Sequence, residues 1–196
     1  MAKLKVRRQQ KKFVYIHNDL GNAAHFHKER IVQRHSAGDK NGLALDCMAC
    51  LIILAFSVEA QFNFLGLKIV PNWYERDKFS EKQKKIFKAL KIKPDMSQRP
   101  FVTLVKLKEF RDLVAHGKPI EVETDEVLVA TNEELDIFSG LRGSWETFCE
   151  RDFVEQAYHD VEKVWEELLK KSGLQHCDTL TRGDHSISVI EKISDF

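Results

Sequence analysis

Residues 43–67 read LALDCMACLIILAFSVEAQFNFLGL, a long apolar stretch near the middle of the 196-residue chain. Its first half, up to Val58, is apolar on almost every side of a helix. A helix with that pattern has no well-solvated face, so neighbouring elements must cover it. The stretch therefore predicts a buried central helix, and with it a mainly α protein.

Apolar spacing, caps and breakers predict four further helices around the central one. They cover about 18–35, 80–92, 101–116 and 152–171. Ser80 with Gln83, and Asp152 with Glu155, have the capping-box pattern that starts a helix. The expected class is all-α, with an architecture of four to five packed helices.

The remaining segments suggest how the chain is divided. We expect a basic flexible arm at 1–12, a helical domain at 13–175 and a C-terminal tail of uncertain structure at 176–196. Gly117 and Gly173 stand where left-handed caps would end helices. Residues 120–130 alternate apolar and acidic side chains, which is compatible with a small β-hairpin or with an acidic loop.

The net charge of +1 implies no partner, but the charge is unevenly distributed. Residues 1–12 carry six basic side chains and no acid, and residues 76–111 have a local charge of +8. Residues 120–170 have a local charge of −11. This asymmetry is typical of a basic face for polyanions beside an acidic one, or of solvated helix faces of opposite sign.

Cysteines and hydropathy bear on compartment and metal binding. Cys47 and Cys50 form a CxxC inside the central apolar run, with His176-Cys177 as the only other candidate pair. Packed helix cysteines are favoured over a zinc site, and no metal or cofactor is expected.

The N-terminus lacks the apolar core of a signal peptide, and the uncharged run of 47–58 is too short to span a bilayer. We expect a cytoplasmic protein without a membrane partner.

A cation lies on an apolar row of the helix predicted at 101–116. Leu104, Leu107 and Arg111 share that row, while Asp112 and His116 lie on an adjoining face. Arg111 either extends its head to water or binds phosphate from a cleft. His116 either satisfies the last helix carbonyls or exchanges protons near neutral pH. The two side chains are about 140° apart on an ideal helix, so they converge only if the last turn unwinds.

The central helix has a matching irregularity. Glu59 and Asn63 continue the row on which Ile52 and Phe56 lie. A carboxylate and an amide on a buried face usually have a polar partner, and Arg111 or His116 are the candidates. The alternative is that this face turns outward to solvent.

These residues resemble a known family. The segment FRDLVAHGKP at 110–119 resembles the R-x4-6-H signature of HEPN domains, a superfamily of helical RNases and RNA-binding modules. The segment SVEAQFN at 57–63 looks like the Glu- and Asn-bearing part of the family's preceding long helix. The resemblance covers roughly residues 43–170.

The resemblance implies an up-and-down helical bundle that forms a homodimer with a composite active site. It also implies metal-independent RNA cleavage, in which the RNA 2′-OH attacks its own phosphate. His116 would then move the proton and Arg111 would stabilise the phosphorane. Asp112 would orient His116, and Glu59 or Asn63 would hold Arg111. Three lysines are candidates for further RNA contacts: Lys106, Lys108 and Lys118.

One departure affects the partner class. HEPN toxins paired with nucleotidyltransferase antitoxins often carry a Tyr two residues after the His, where this chain has Lys118. RNA is the expected partner, and whether an antitoxin or regulatory protein also binds is therefore left open. The main hypothesis is an RNase of the toxin or phage-defence kind. The alternatives are a non-catalytic HEPN-like module for nucleotide, RNA or protein, and a helical interaction protein.

Overall fold

The structure, a computed structural model, describes residues 3–127, 129, 131 and 141–193. The predicted mainly α class is confirmed, since five α-helices make up most of this part of the chain. The helices are α1 (Ile16–Ser36), α2 (Leu43–Ile69), α3 (Phe79–Ala89), α4 (Phe101–Ala115) and α5 (Arg151–Ser172). Two antiparallel strands, β1 (Lys3–Phe13) and β2 (Arg182–Ile193), pair with each other.

Helix α2 is the central element, as its apolar sequence predicted. It packs against α1, α3, α4 and α5. Its buried side extends from Cys47 to Gly66 and includes Leu51, Leu54 and Phe62. Burial of these side chains by four neighbouring helices supplies the apolar environment that the stretch requires.

Helix α2 also meets the length and composition test for a membrane span. Its mean hydropathy is 2.1 over an 18-residue window, of which 39% is buried inside the protein. No other helix in the described part of the chain meets that test. Helix α2 packs against four helices, and Leu45, Phe56 and Leu67 are exposed on its remaining surface.

Phenylalanine rings connect α2 to α3 and α4. Phe62 contacts Phe79 and Phe87 edge-on, with ring centroids 5.3 and 5.7 Å apart. Phe87 in turn contacts Phe101 at 5.8 Å. Edge-to-face pairs add about 0.5–1.5 kcal/mol each beyond the area they bury. The chain of rings fixes how α4, which carries Arg111, lies against α2.

A buried carboxylate ties α4 to α5. Asp160, on α5, accepts two hydrogen bonds from the Arg99 guanidinium at 2.8 and 2.9 Å and one from the Thr103 hydroxyl at 2.7 Å. Burial by itself would raise the pKa of Asp160, but these hydrogen bonds outweigh it and hold the pKa below its ordinary value. The start of α4 is thereby anchored before the helix reaches the candidate site.

Two predicted helix starts are wrong. Ser80 and Asp152 were expected to cap α3 and α5, but each lies inside the first turn of its helix. The residues at the cap positions, Lys78 and Glu150, make no side-chain capping bond. Helix α3 begins early because Phe79 is buried against Phe62, and that packing outweighs the local cap signal.

The predicted helix ends have a mixed outcome. Gly173 follows α5 with a φ of 72°, as a left-handed cap requires. Gly117 has no positive φ, because α4 already ends at Ala115 and His116 is its cap, with φ −112° and ψ 26°. No strand forms in the described residues of 120–130, so the hairpin is not found there, while Leu128 and Ala130 lie outside the described residues.

The N-terminal arm is a correction to the sequence prediction. Residues expected to be unstructured form β1, which pairs antiparallel with β2 from the C-terminal tail, from Lys3 opposite Ile193 to Phe13 opposite Arg182. We call this two-stranded element the ribbon. Every residue of both strands is exposed. Strand prediction from sequence relies on one buried and one exposed face, and the ribbon has no buried face.

His17 predicts how stability depends on pH. Its side chain is 4% exposed among the rings of Phe64 and Trp165, and burial lowers its pKa from 6.5 to about 4 against the opposing effect of Asp19. Between pH 6.5 and about pH 4, His17 therefore binds a proton more readily in the unfolded chain than in the folded chain. At 1.36 kcal/mol per pKa unit, stability should fall by about 3 kcal/mol as pH drops through this window.

Urea unfolding at pH 7 and pH 4.5 checks this expectation on wild type and His17→Phe. The variant cannot take up this proton, so its loss of stability between the two pH values should be clearly smaller. An equal loss in both proteins would show that other groups cause the acid sensitivity.

Candidate functional site

The candidate site lies where the second half of α4 passes α2. Leu104, Leu107 and Phe110 are buried and fix the rotation of α4 about its own axis. The next two residues, Arg111 and Asp112, lie at the edge of the core and are partly buried. Arg111 is 22% exposed, so its guanidinium is neither free in solvent nor sealed inside.

Glu59 of α2 holds Arg111. The Arg111 Nη1 donates to Glu59 Oε2 at 2.7 Å. The other oxygen, Oε1, accepts from Lys82 Nζ of α3 at 2.8 Å. One carboxylate therefore bridges cations from two other helices. The Lys82 side chain is only 2% exposed, so Glu59 neutralises a charge that water barely reaches.

Asp112 forms the second contact to Arg111. Its Oδ1 accepts from Arg111 Nη2 at 2.9 Å and from Nε at 3.2 Å, while Oδ2 accepts from Lys108. The Lys108 hydrogen bond, with a further one from Arg111, holds the pKa of Asp112 below its ordinary value despite partial burial. Asp112 is therefore a carboxylate at neutral pH.

Together these groups form a connected charge network. Its members are Lys82, Glu59, Arg111, Asp112 and Lys108, three cations and two anions, so the network carries one excess positive charge. The contacts among described residues use three of the five guanidinium N–H donors of Arg111. Two donors remain for an external acceptor such as a phosphate oxygen.

His116 is exposed at the end of α4, where its backbone N–H donates to the carbonyl of Asp112 at 3.0 Å. It lines an open cavity of about 640 Å³. Asp112, Lys108 and Lys118 line the same cavity, whose apolar wall includes Trp145. The cavity thus places an imidazole beside two lysines and a carboxylate that is bound to Arg111.

Not all predicted site residues lie together. Arg111 and His116 share no hydrogen bond among the described residues, and the carboxylate of Asp112 contacts Arg111 and Lys108 rather than the His116 ring. Asn63 does not hold Arg111, because its Oδ1 is buried without a hydrogen-bond partner in the described part of the chain. It lines a separate cavity of about 450 Å³, which it shares with Glu59.

Of the three lysines expected to bind RNA, Lys108 and Lys118 line the His116 cavity and Lys106 does not. Lys106 lies over the Phe153 ring, with its Nζ 5.8 Å from the ring centroid. It projects on the side of α4 that faces α5, because residues two apart on a helix point in different directions.

Lys82 is the one member of the network that the sequence analysis missed. The signal was present: Lys82 lies three residues after Phe79 and four before Ile86, both of which are buried. A cation at that spacing occupies the apolar row of α3, as Arg111 does on α4. A search of every helix for a charged residue on its apolar row would have found Lys82.

The cysteines lie apart from this site. Cys47 and Cys50 are buried in the core, where burial raises their pKa values to about 11 and about 12. Cys50 donates to the carbonyl of Ala24 at 3.4 Å. These thiols pack as core side chains. Among the described residues, no group of three or more His, Cys, Asp or Glu side chains is arranged to hold a metal ion.

Comparison of the chain with protein-family models, with curated proteins and with solved structures gives no match. The function therefore has to follow from the chemistry of the site and from the motif that the sequence carries.

Proposed function

We propose that this protein is a metal-independent endoribonuclease of the HEPN type, with Arg111 and His116 as its catalytic residues. The observation that carries the proposal is the placement of Arg111. Glu59 and Asp112 orient its guanidinium, and two of its N–H donors have no acceptor among the described residues. Asp112 connects this guanidinium to the cavity that His116 lines. An oriented, partly buried guanidinium is suited to a phosphate oxygen.

The reaction needs no nucleophile from the protein, because the RNA 2′-OH supplies it. The 2′-oxygen forms a bond to the adjacent phosphorus, and the bond from phosphorus to the 5′-oxygen breaks. His116 takes the proton from the 2′-OH or delivers one to the departing 5′-oxygen. Arg111 stabilises the charge that develops on the phosphorane oxygens. The products are a 2′,3′-cyclic phosphate and a 5′-hydroxyl.

The proposal includes a homodimer whose two-fold axis lies near His116. Arg111 and His116 of one chain do not meet, and the cavity that His116 lines is open with an apolar wall of Val105, Ile120 and Trp145. A second copy packed across this wall in an isologous contact would bring two such pairs into one cleft. We place this RNase in the cytoplasm as a toxin or defence protein, with an antitoxin or regulatory protein as an open partner.

The alternative, a non-catalytic HEPN-like module, is favoured by one observation. Arg111 already pairs with two carboxylates, which is also what a purely structural ion-pair network would require. Such a module would bind RNA, nucleotide or protein through the same excess positive charge without cleavage.

An RNA oligonucleotide with a single 2′-deoxy nucleotide at its main cleavage position separates these functions. In EDTA, the protein is expected to cut the all-ribose strand and to leave the substituted position intact, because the nucleophile is missing there. Light scattering of the same sample should give the mass of a dimer. Binding without cleavage of either strand would support the non-catalytic module, and cutting at the 2′-deoxy position would contradict the mechanism.

A further inference from the structure

The ribbon is a separate functional feature that the proposed RNase site does not use. It consists of the two ends of the chain, and its base is tied to the helices by two hydrogen bonds. Tyr15 N donates to Thr181 Oγ1 at 3.1 Å, and Asn18 Nδ2 donates to the Thr179 carbonyl at 2.8 Å. Eleven residues of strand extend about 35 Å at the usual rise. No helix covers either face, since every ribbon residue is exposed.

The charge of the ribbon is strongly positive. Strand β1 carries six Lys and Arg without an acid, and β2 carries two basic and two acidic side chains, so the ribbon has a net charge of +6. Of its eight Lys and Arg side chains, only Lys5 has an ion-pair partner among the described residues, which is Glu191. Such a density of unpaired cations repels a second ribbon and attracts a polyanion.

We propose that the ribbon is a binding element for duplex DNA that enters the major groove. The major groove of B-form DNA is about 12 Å wide and admits a two-stranded β-ribbon. Arg and Lys along β1 contact the phosphates, and the polar side chains that share one face at mid-ribbon reach base edges: Gln9, Ser186 and Ser188.

Two features of the ribbon make RNA a poorer fit. The major groove of A-form RNA is deep and narrow, so side chains cannot read it. Single strands are bound by stacking bases on aromatic rings, and Phe13 is the one aromatic side chain of the ribbon. That ring lies at the base of the ribbon and already contacts two cations, Lys11 and Arg182, whose charged ends are 4.9 and 5.5 Å from its centroid.

Gly183 makes the paired structure of the ribbon testable without changing its charge. A Cβ at this position would lie 2.8 Å from the backbone carbonyl oxygen of Lys11, closer than real Cβ contacts allow. Gly183→Val should therefore separate β1 from β2 at their base while all six cations of β1 remain. A binding element that needs the paired ribbon loses affinity in this variant, whereas a loose basic arm does not.

The experiment measures binding of full-length protein to a fluorescent 20-base-pair DNA duplex in EDTA, over a series of salt concentrations. One variant carries Arg7→Gln, Arg8→Gln and Lys12→Gln. Its affinity should fall at least tenfold, and the slope of log K against log salt should shrink by about 0.9 for each phosphate that the variant no longer neutralises. A matched control removes the same charge from exposed lysines outside the ribbon, by Lys40→Gln, Lys170→Gln and Lys171→Gln, and should bind within twofold of wild type.

Further measurements distinguish DNA binding by the ribbon from the proposed RNase activity. Gly183→Val should weaken DNA binding at least tenfold, while both ribbon variants should still cut a short RNA at the wild-type rate. Wild type should bind the DNA duplex more tightly than 2′-O-methyl RNA of the same sequence, whether that RNA is a duplex or a single strand. The inference is overturned if Gly183→Val binds DNA like wild type, if the lysine control loses as much affinity as the ribbon variant, or if either RNA form binds better.

Discussion

Replacing His116 by alanine should reduce RNA cleavage by about 10²–10⁴-fold, the usual contribution of a positioned acid–base group. The fold should be unaffected, because His116 is exposed and its backbone, not its ring, caps α4. Initial rates of cleavage of a single-stranded RNA, with circular dichroism as a check of folding, measure the effect. Arg111→Ala should have a comparable effect, since it removes the guanidinium that Glu59 and Asp112 orient next to the residues lining this cavity.

His159→Ala is the matched control for His116. His159 is an exposed histidine on α5 that faces Glu162 at 3.8 Å and does not line the cavity. Its replacement should leave the cleavage rate unchanged. Retention of full activity by His116→Ala would remove this residue from the catalytic mechanism.

Glu59→Ala should have the largest effect on stability, a loss of about 3–5 kcal/mol. The substitution leaves Lys82 charged and unpaired at a position that water barely reaches, which costs far more than the pair itself contributes. It also frees Arg111 from α2, so cleavage should fall with stability. Urea unfolding followed by tryptophan fluorescence measures the loss.

A double variant distinguishes the two roles of Glu59. Glu59→Gln with Lys82→Met removes both charges of this ion pair, and its stability should return to within about 1 kcal/mol of wild type. Its cleavage rate should stay low, because Arg111 has lost the anion that orients it. Recovery of cleavage together with stability would show that Glu59 acts only on the fold.

The fold was largely predictable where the hydrophobic pattern of a single segment determines how that segment packs. The first half of the apolar run at 43–67 is apolar on almost every side, so the helix α2 and its central position follow from the sequence. The ribbon was not predictable in this way. It pairs residues 169 to 190 positions apart, and because both faces are exposed, no buried face reveals the pairing. Only the three-dimensional proximity of the chain ends creates it.

The candidate site was predictable in part for a related reason. Arg111 and Glu59 each interrupt an apolar helix row, and two partly buried charges of opposite sign stabilise one another. Asn63 interrupts the same row as Glu59, yet it does not reach Arg111. Which of two such residues meets the neighbouring helix depends on helix rotation and crossing, and those are set by distant contacts such as Phe62 with Phe87.

The central claim is that Arg111 and His116 cleave RNA through its own 2′-OH. The most direct test incubates wild type and the double variant Arg111→Ala/His116→Ala with single-stranded RNA in EDTA and determines the ends of the products. Wild type is expected to release fragments with 2′,3′-cyclic phosphate ends, and the double variant to release none. Equal cleavage by the two proteins would contradict the claim and would place the activity elsewhere.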